Sequence, residues 1–480
     1  MSELKEKAIN GIAWNTIQSL SNKSISFLFL IVMARLLLPA DYGMVGMLAI
    51  FIALADAFVN CGFGQAIIRK QKRTKLDEST VFYFSIGASL ICYAIMFGIA
   101  PLVATFYNMP ELCPLLRFLG LKIVVSSFSS MQVLLYSIDL NFKTPAVVKV
   151  VSNISSGGIG IWCAFNGWGP WALAIQQVLM ASFSTFMYIV LSKWRPIWGF
   201  SVTSFKEMFS FGSKLLGANL LNIFYSNLSA IFIGKAYSSS DLGLYSKGQE
   251  MAAYPSDLLY GIVNTVTYPL LCTIQNDRDK MTNAYRKIIK SIAFIIYPTM
   301  AIVCALAHPI IVTLFGEKWA TSAFYLAMLC YPYMLVPICT ANFSLLQVVG
   351  RSDLVLRLEI ITKIMGTIML LITLPISIKA MCIGTIVNVT LCVLVNTYYT
   401  SRFIDLSQRD QLFDLLKPLA CCIALATIIF LIVGLFDNNI AKIIIGASLG
   451  LVIFYGSSAM LRTDEFMLCY QIVKDKIKKS

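Results

Sequence analysis

Long apolar segments separated by short polar breaks make up almost the whole chain, and this pattern restricts what it can fold into. A membrane-spanning helix needs about 20 mostly apolar residues, and segments of that kind recur from one end to the other. Backbone groups cannot bond to water in lipid, so such segments predict helices. The pattern predicts fourteen spans, at residues 12–38, 44–68, 80–106, 115–138, 146–166, 171–192, 210–234, 249–273, 289–315, 321–348, 356–378, 381–401, 417–436 and 442–461.

Composition and loop charge support a polytopic all-α membrane protein. Hydrophobic residues make up 58% of the chain and charged residues 13%, against about 25% charged in soluble domains. In a soluble protein the net charge of +14 would suggest nucleic acid; here it favours basic cytoplasmic loops and anionic lipid head groups. Lysine and arginine are concentrated in every second loop, which predicts that both termini are cytoplasmic.

A sequence repeat divides the chain into two like halves. The stretch from Ala34 to Gly43 recurs about 200 positions later, and the matched pairs are Arg35 with Lys235, Asp41 with Asp241, and Gly43 with Gly243. Two six-span halves that begin on the same side predict parallel repeats around a central cleft. The predicted domains are therefore a half at 1–200, a half at 201–403, and two extra helices with a basic tail at 404–480. The Asp-x-Gly of the repeat predicts a turn in which glycine adopts positive φ.

Polar side chains within the spans are the candidate site residues, because an ionisable group there costs about 2.5–3.5 kcal/mol and usually faces the bundle interior. The side chains predicted to line a cavity for an anionic head group are Lys23, Arg35, Lys214, Lys235, Lys247, Asn22 and Asn222. Asp56, Glu250 and Asp257 are the candidates for coupling to H⁺ or Na⁺.

Alternative roles stay open for several of these residues. Arg35 and Lys235 equally suit anchors of helix ends at the membrane surface, and so do Lys214 and Lys247. Lys247 and Glu250, three positions apart, can also neutralise each other. The asparagines can hold helices together, while Lys122 and Lys363 are isolated cations with no partner evident in the sequence.

Catalytic and metal-binding patterns are weak in this sequence. His308 is the single histidine, and with Pro309 it predicts a local helix break. Asp277-Arg278-Asp279 has a DxD form, but a three-residue match in a short basic loop is too common to indicate catalysis. The sequence has no zinc-type cysteine spacing and no glycine-rich phosphate loop. We therefore predict a protein that is not an enzyme and has no metal site or bound cofactor.

Four motifs carry a family resemblance. They are the stretch Ala34–Gly43, its counterpart Asp241–Tyr245, Tyr268–Leu270 followed by Ile274–Asp277, and Leu314–Trp319. Together they resemble the polysaccharide biosynthesis membrane proteins, the Wzx-like flippases of the multidrug/oligosaccharidyl-lipid/polysaccharide exporter superfamily, in the colanic-acid and teichuronic-acid exporter branch.

The resemblance implies a flippase of the bacterial inner membrane. Its substrate would be an undecaprenyl-diphosphate-linked oligosaccharide, a unit of O-antigen, capsule or exopolysaccharide, which it translocates by alternating access. The implied partners are this polyprenyl-diphosphate-linked glycan, the lipid bilayer and the glycan polymerase machinery, with no nucleic acid.

Two other functions compete with this reading. A cation-coupled multidrug antiporter of the same superfamily would favour a more acidic, aromatic cavity and usually twelve spans. A membrane sugar polymerase or ligase would need a large outer loop with catalytic residues, and the predicted outer loops are short. Fourteen spans and a basic cavity favour the exporter.

Overall fold

The computed structural model describes residues 24–70 and 72–460, and within these ranges every regular element is a helix. Each of the fourteen predicted segments overlaps a helix, the first only in part, since residues 12–23 lie outside the described ranges. Ten of the described helices are long and apolar enough to cross a membrane, or eleven if one bent pair forms a single span. The all-α, multi-pass class is thus confirmed, while the number of fourteen spans and the cytoplasmic termini stay predictions.

The first compact unit covers Met1–Gly243. Its described helices are α1 (Ser24–Leu36), α2 (Pro39–Asn60), α3 (Phe63–Arg69), α4 (Lys75–Tyr107), α5 (Leu112–Ser127), α6 (Ser130–Ile138), α7 (Lys143–Phe165), α8 (Pro170–Leu191) and α9 (Val202–Ala236). Helix α2 packs against α4, α5, α8 and α9, and α7 pairs with α8. Helix α1 meets α7, where Asn153 Nδ2 donates to Ser26 Oγ at 2.8 Å.

The repeated motif forms two helix starts that cross each other. At the start of α2, Asp41 Oδ2 accepts a hydrogen bond from the Leu38 backbone N–H at 2.8 Å. At the equivalent place Asp241 Oδ2 accepts from the Ser238 hydroxyl at 2.6 Å. A carboxylate in the first turn satisfies an N–H group that the helix leaves unpaired. The aspartates of the motif therefore have a local structural role.

The predicted turn with a positive-φ glycine is wrong. Gly43 and Gly243 lie inside helices, and neither is among the positive-φ glycines of the described chain. A methyl group at Gly43 would lie 1.7 Å from the carbonyl oxygen of Ser239, and one at Gly243 would lie 1.9 Å from that of Pro39. Glycine is required because the two backbones touch, as happens at close helix crossings in membranes.

The second compact unit covers Leu244–Ser480. Helix α10 (Ser239–Thr273) leads into it, and it continues with α11 (Arg278–Ala305), α12 (Ala307–Phe315), the 3₁₀ turn Glu317–Trp319, α13 (Ala320–Val348), α14 (Ser352–Thr373), α15 (Ile378–Thr400), α16 (Gln408–Val433) and α17 (Asn439–Met460). Helix α11 packs against α13 and α16, and α15 packs against α13 and α14. Two predicted extra helices, α16 and α17, contact each other as well as α11.

Two predicted spans are interrupted. The span at 289–315 breaks at Leu306 between α11 and α12, close to the break predicted at His308. The span at 115–138 consists of α5 and α6, which meet at an angle of 46°. Non-helical backbone at membrane depth is tolerated where protein surrounds it or where it lines a cavity. The second break lies beside the cavity described next.

Candidate functional site

An open cavity of about 430 Å³, with polar and apolar side chains in its wall, lies in the first unit. Helices α2, α5, α6, α7 and α8 line it, and its polar side chains include Asp56, Asn60, Lys122, Lys149, Gln177 and Ser184. This volume falls within the range of about 300–1,000 Å³ usual for ligand pockets. The cavity thus brings one predicted site residue, Asp56, together with polar groups from four other helices.

Asp56 on α2 and Lys122 on α5 are the charged centre of this cavity. Their charges attract each other, yet neither forms an ion pair within 4.0 Å in the described part of the chain. Both side chains are half-buried. A carboxylate and an ammonium group that face one cavity without direct contact leave space for another group to bond to both.

The break between α5 and α6 supplies further hydroxyl groups to the same cavity. Ser126, Ser129 and Ser130 lie at this break and line the cavity wall. The Ser129 hydroxyl is 3.0 Å from that of Thr185 on α8, so the break is tied to the neighbouring helix. Interrupted helices often form the binding sites of transporters, because their ends expose backbone and side-chain polar groups.

The second unit contains a comparable charged side chain, Lys247, in different surroundings. Lys247 on α10 is only 2% exposed, and its Nζ lies 3.0 Å from Glu250 Oε2. The rings of Phe315 and Trp319 lie 5.6 and 5.7 Å from the ammonium nitrogen. Both rings belong to the Leu314–Trp319 motif and are fully buried. The structure thus shows the Lys247–Glu250 pair that the spacing suggested, and a head-group contact by Lys247 stays a prediction.

The polar stripe on α10 continues beyond this pair. Tyr254 lies close enough to Glu250 and Asp257 to interact electrostatically with both carboxylates. Asp257 is exposed, and no ion pair to it is found among the described residues. Gln249 Nε2 donates to the Tyr333 hydroxyl at 3.1 Å. Asp257 is therefore the more accessible of the two predicted coupling carboxylates in this unit.

The cations of the two motif copies lie near the ends of helices. Lys235 Nζ donates to the carbonyl oxygen of Phe106 and lies 4.9 Å from that ring. Since α4 ends at Tyr107, this contact places a positive charge at the C-terminus of a helix, where it is favourable. Arg35, at the end of α1, is exposed. The contact favours anchoring for Lys235 without excluding a ligand.

Two of the remaining predicted residues, Lys214 and Asn222, do not line the cavity. Lys214 and Asn222 are exposed on α9, and Asn22 and Lys23 lie outside the described residues. Lys363, an isolated cation in the sequence, lies 3.9 Å from Glu359 one turn away. The substrate-binding and coupling roles of these residues therefore stay predictions.

A basic loop joins α3 to α4 and is fixed by carboxylates. Lys70 Nζ lies 3.1 Å from Glu207 Oε2 and 3.2 Å from Asp77 Oδ1. Hydrogen bonds to Glu207, which has the larger effect, and to Asp77 raise the pKa of Lys70. This loop was predicted from charge to be cytoplasmic, and its lysine is here a structural link between α4 and α9.

Sequence reasoning missed Lys122 as a site residue, together with Gln177 and Ser184. Lys122 and its partner Asp56 lie on different helices, so no periodic pattern within one helix could connect them. Among the described residues, no group of three or more His, Cys, Asp or Glu side chains could hold a metal ion.

Comparisons with known proteins identify the family. The sequence model described as "Polysaccharide biosynthesis protein" matches residues 32–324. The teichuronic acid biosynthesis protein TuaB of Bacillus subtilis is 23% identical, with 74% of each chain covered. The succinoglycan biosynthesis transport protein ExoT of Rhizobium meliloti is 23% identical over 71% of this chain and 69% of its own.

Comparison with solved structures supports the fold. An inward-closed structure of the lipid II flippase MurJ superposes with a TM-score of 0.72 and 14% identity, covering 93% of this chain and 98% of that one. At this identity the match concerns the fold alone. The resemblance in the four motifs is confirmed by the family match, and the chain belongs to the polysaccharide biosynthesis protein family of multi-pass membrane proteins.

Proposed function

We propose that the protein is a flippase that moves an undecaprenyl-diphosphate-linked oligosaccharide from the inner to the outer leaflet of the bacterial inner membrane. The observation that carries this proposal is the family match over residues 32–324. The printed names place TuaB in teichuronic acid biosynthesis and ExoT in succinoglycan biosynthesis transport. The transported unit would belong to O-antigen, capsule or exopolysaccharide.

The proposal treats the protein as a transporter without catalytic activity. It includes fourteen spans with both termini in the cytoplasm, two parallel six-helix halves around a central cleft, and transport by alternating access. A fluorescent reporter that matures only in the cytoplasm, fused to the C-terminus, tests the topology: a dark fusion that is stably inserted would contradict it. The polymerase machinery is the proposed partner on the outer side.

Coupling to H⁺ or Na⁺ belongs to the same proposal, through Asp56, Glu250 or Asp257. Glu250 Oε2 lies 3.0 Å from Lys247 Nζ, whereas Asp257 is exposed on the same helix. A carboxylate without a fixed counter-ion is the better candidate for a mobile cation. If Asp257→Asn keeps the full dependence of transport on pH and sodium, this carboxylate is not the coupling site.

Deletion of the gene in its source bacterium tests the function. We expect loss of one surface polysaccharide and accumulation of its lipid-linked precursor on the inner leaflet, both reversed by a plasmid copy. Drug susceptibility measured in the same strains is the control for an antiporter. Normal surface polysaccharide combined with increased drug sensitivity would overturn the proposal.

A further inference from the structure

The cavity of the first unit is lined by polar side chains whose bonding capacity is unused. Asp56, Lys122 and Gln177 form no side-chain hydrogen bond within the described part of the protein, and the same holds for Ser126 and Ser184. All five side chains are half-buried and open to the cavity, so they are free to bond to a molecule that enters it. Five such groups around one cavity indicate a ligand that supplies several hydrogen bonds.

The two charges select the kind of ligand. The Asp56 carboxylate only accepts hydrogen bonds, and the Lys122 ammonium group only donates them. Sodium would be attracted by Asp56 but repelled by Lys122, and for a diphosphate the signs are reversed, so these two central charges together favour neither ion strongly. A hydroxyl group both donates and accepts, so it can bond to both side chains across the space between them.

The rest of the lining fits a polyhydroxylated ring. Gln177 presents an amide that can donate to one hydroxyl and accept from the next, while Ser126 and Ser184 can do either. Between these groups lie apolar side chains, including Val59, Ile123 and Met180. A sugar ring has polar edges and faces of C–H groups, and this mixture of polar and apolar wall matches both.

The break between α5 and α6 is an independent observation at the same place. Helices in lipid are interrupted where the exposed backbone faces protein or a cavity, and discontinuous helices commonly mark transporter binding sites. Ser126 and Ser130, on either side of the break, both line this cavity. The interruption therefore coincides with the unpaired polar groups.

We propose that this cavity binds a sugar ring of the transported glycan, with Asp56 and Lys122 sharing its hydroxyl groups and Gln177 bonding along its edge. The inference rests on the proposed export of a lipid-linked glycan. It assigns Asp56 to the glycan instead of the coupling ion. Lys149, exposed at the cavity edge, would favour an acidic substituent on the same sugar.

Binding of lipid-free sugar tests this assignment. The probe is the repeat-unit oligosaccharide cut from the source bacterium's own surface polysaccharide, without lipid or phosphate, added to the full-length protein in lipid nanodiscs. Titration calorimetry and saturation-transfer NMR measure its binding. We expect binding to the wild type and at least about tenfold weaker binding to Asp56→Asn and to Gln177→Ala, the loss typical of a hydrogen bond to a charged or buried polar group.

The matched control is Asp139→Asn, which removes an exposed carboxylate at the end of α6, away from the cavity lining, and should bind like the wild type. Lys122→Gln provides a second test of the charged centre if Asp56→Asn is poorly folded. Unchanged sugar binding by all the cavity variants would overturn the assignment. So would an Asp56→Asn variant that binds sugar normally but has lost the sodium or pH dependence of transport.

The outcomes also separate this inference from the proposed function. A wild type that restores polysaccharide export in the deletion strain but does not bind the lipid-free oligosaccharide would refute the sugar site and leave the flippase standing. A wild type that binds the oligosaccharide but does not restore export would refute the flippase and leave the sugar site standing.

Discussion

Two lysine–carboxylate pairs, one in each unit, have opposite surroundings. Lys247 is 2% exposed, bonded to Glu250 and flanked by the rings of Phe315 and Trp319. Lys122 and Asp56 attract each other but are more than 4.0 Å apart across a cavity. An ionisable group in a span therefore does not by itself indicate a binding site. What matters is whether the protein already satisfies the charge.

Replacing each lysine with alanine should give the largest difference between the two pairs. Lys247→Ala removes a buried side chain next to two buried rings and should lower the free energy of unfolding by about 3 kcal/mol, as for other buried large-to-small changes. Lys122→Ala enlarges an existing cavity and should cost less than about 1 kcal/mol. Denaturant titration in detergent micelles measures both, and equal losses would contradict the contrast.

Removing one hydroxyl group from each region is a milder test. In the second unit the buried Tyr285 hydroxyl bonds to Asn342 and lies 3.4 Å from Gln411 Oε1. Tyr285→Phe leaves buried amide groups without this partner and should cost about 1–2 kcal/mol. Ser184→Ala in the open cavity should cost less than about 0.5 kcal/mol. The same titration measures both variants, and a larger loss for Ser184→Ala would show that the cavity is part of the packed core.

A third comparison, between two replacements of one residue, separates packing from charge at Lys247. Lys247→Met keeps an unbranched side chain of similar size beside the two rings. Glu250 loses its partner but remains partly hydrated, because 42% of its side chain is exposed. We expect a change in unfolding free energy below about 1.5 kcal/mol. If Lys247→Met is as unstable as Lys247→Ala, the ion pair and not the packing stabilises this region. Loss of polysaccharide export by a stable Lys247→Met protein would instead support the predicted head-group contact.

Much of the helical structure was predictable, because apolar runs of membrane length leave the backbone little choice. The fourteen segments overlap described helices for this reason. The bend between α5 and α6 was not predicted, since the sequence there has neither glycine nor proline between Ser126 and Ser130. The hydroxyls of Ser127, Ser129 and Ser130 donate to backbone carbonyls three residues earlier, which competes with regular helix, and Ser129 also contacts Thr185 on another helix.

The candidate site was predictable only in part. Asp56 could be recognised as a carboxylate near the middle of a span, but its electrostatic partner Lys122 lies on a helix that looks ordinary in the sequence. Lys247 and Glu250 were recognisable as neighbours on one helix, whereas the enclosing rings of Phe315 and Trp319 come from another part of the chain. Patterns within one helix are visible in a sequence, and contacts between helices are not.

The crossing of the two motif copies limits how the halves of this protein can diverge. The backbone of Ser239 lies so close to position 43 that only glycine fits there, and the backbone of Pro39 requires glycine at position 243 in the same way. Each copy therefore packs directly against the other. A bulkier residue in one copy requires the backbone of the other to move away. The two copies form a single interlocking unit, so a chimaera with part of a relative should take both copies from the same protein.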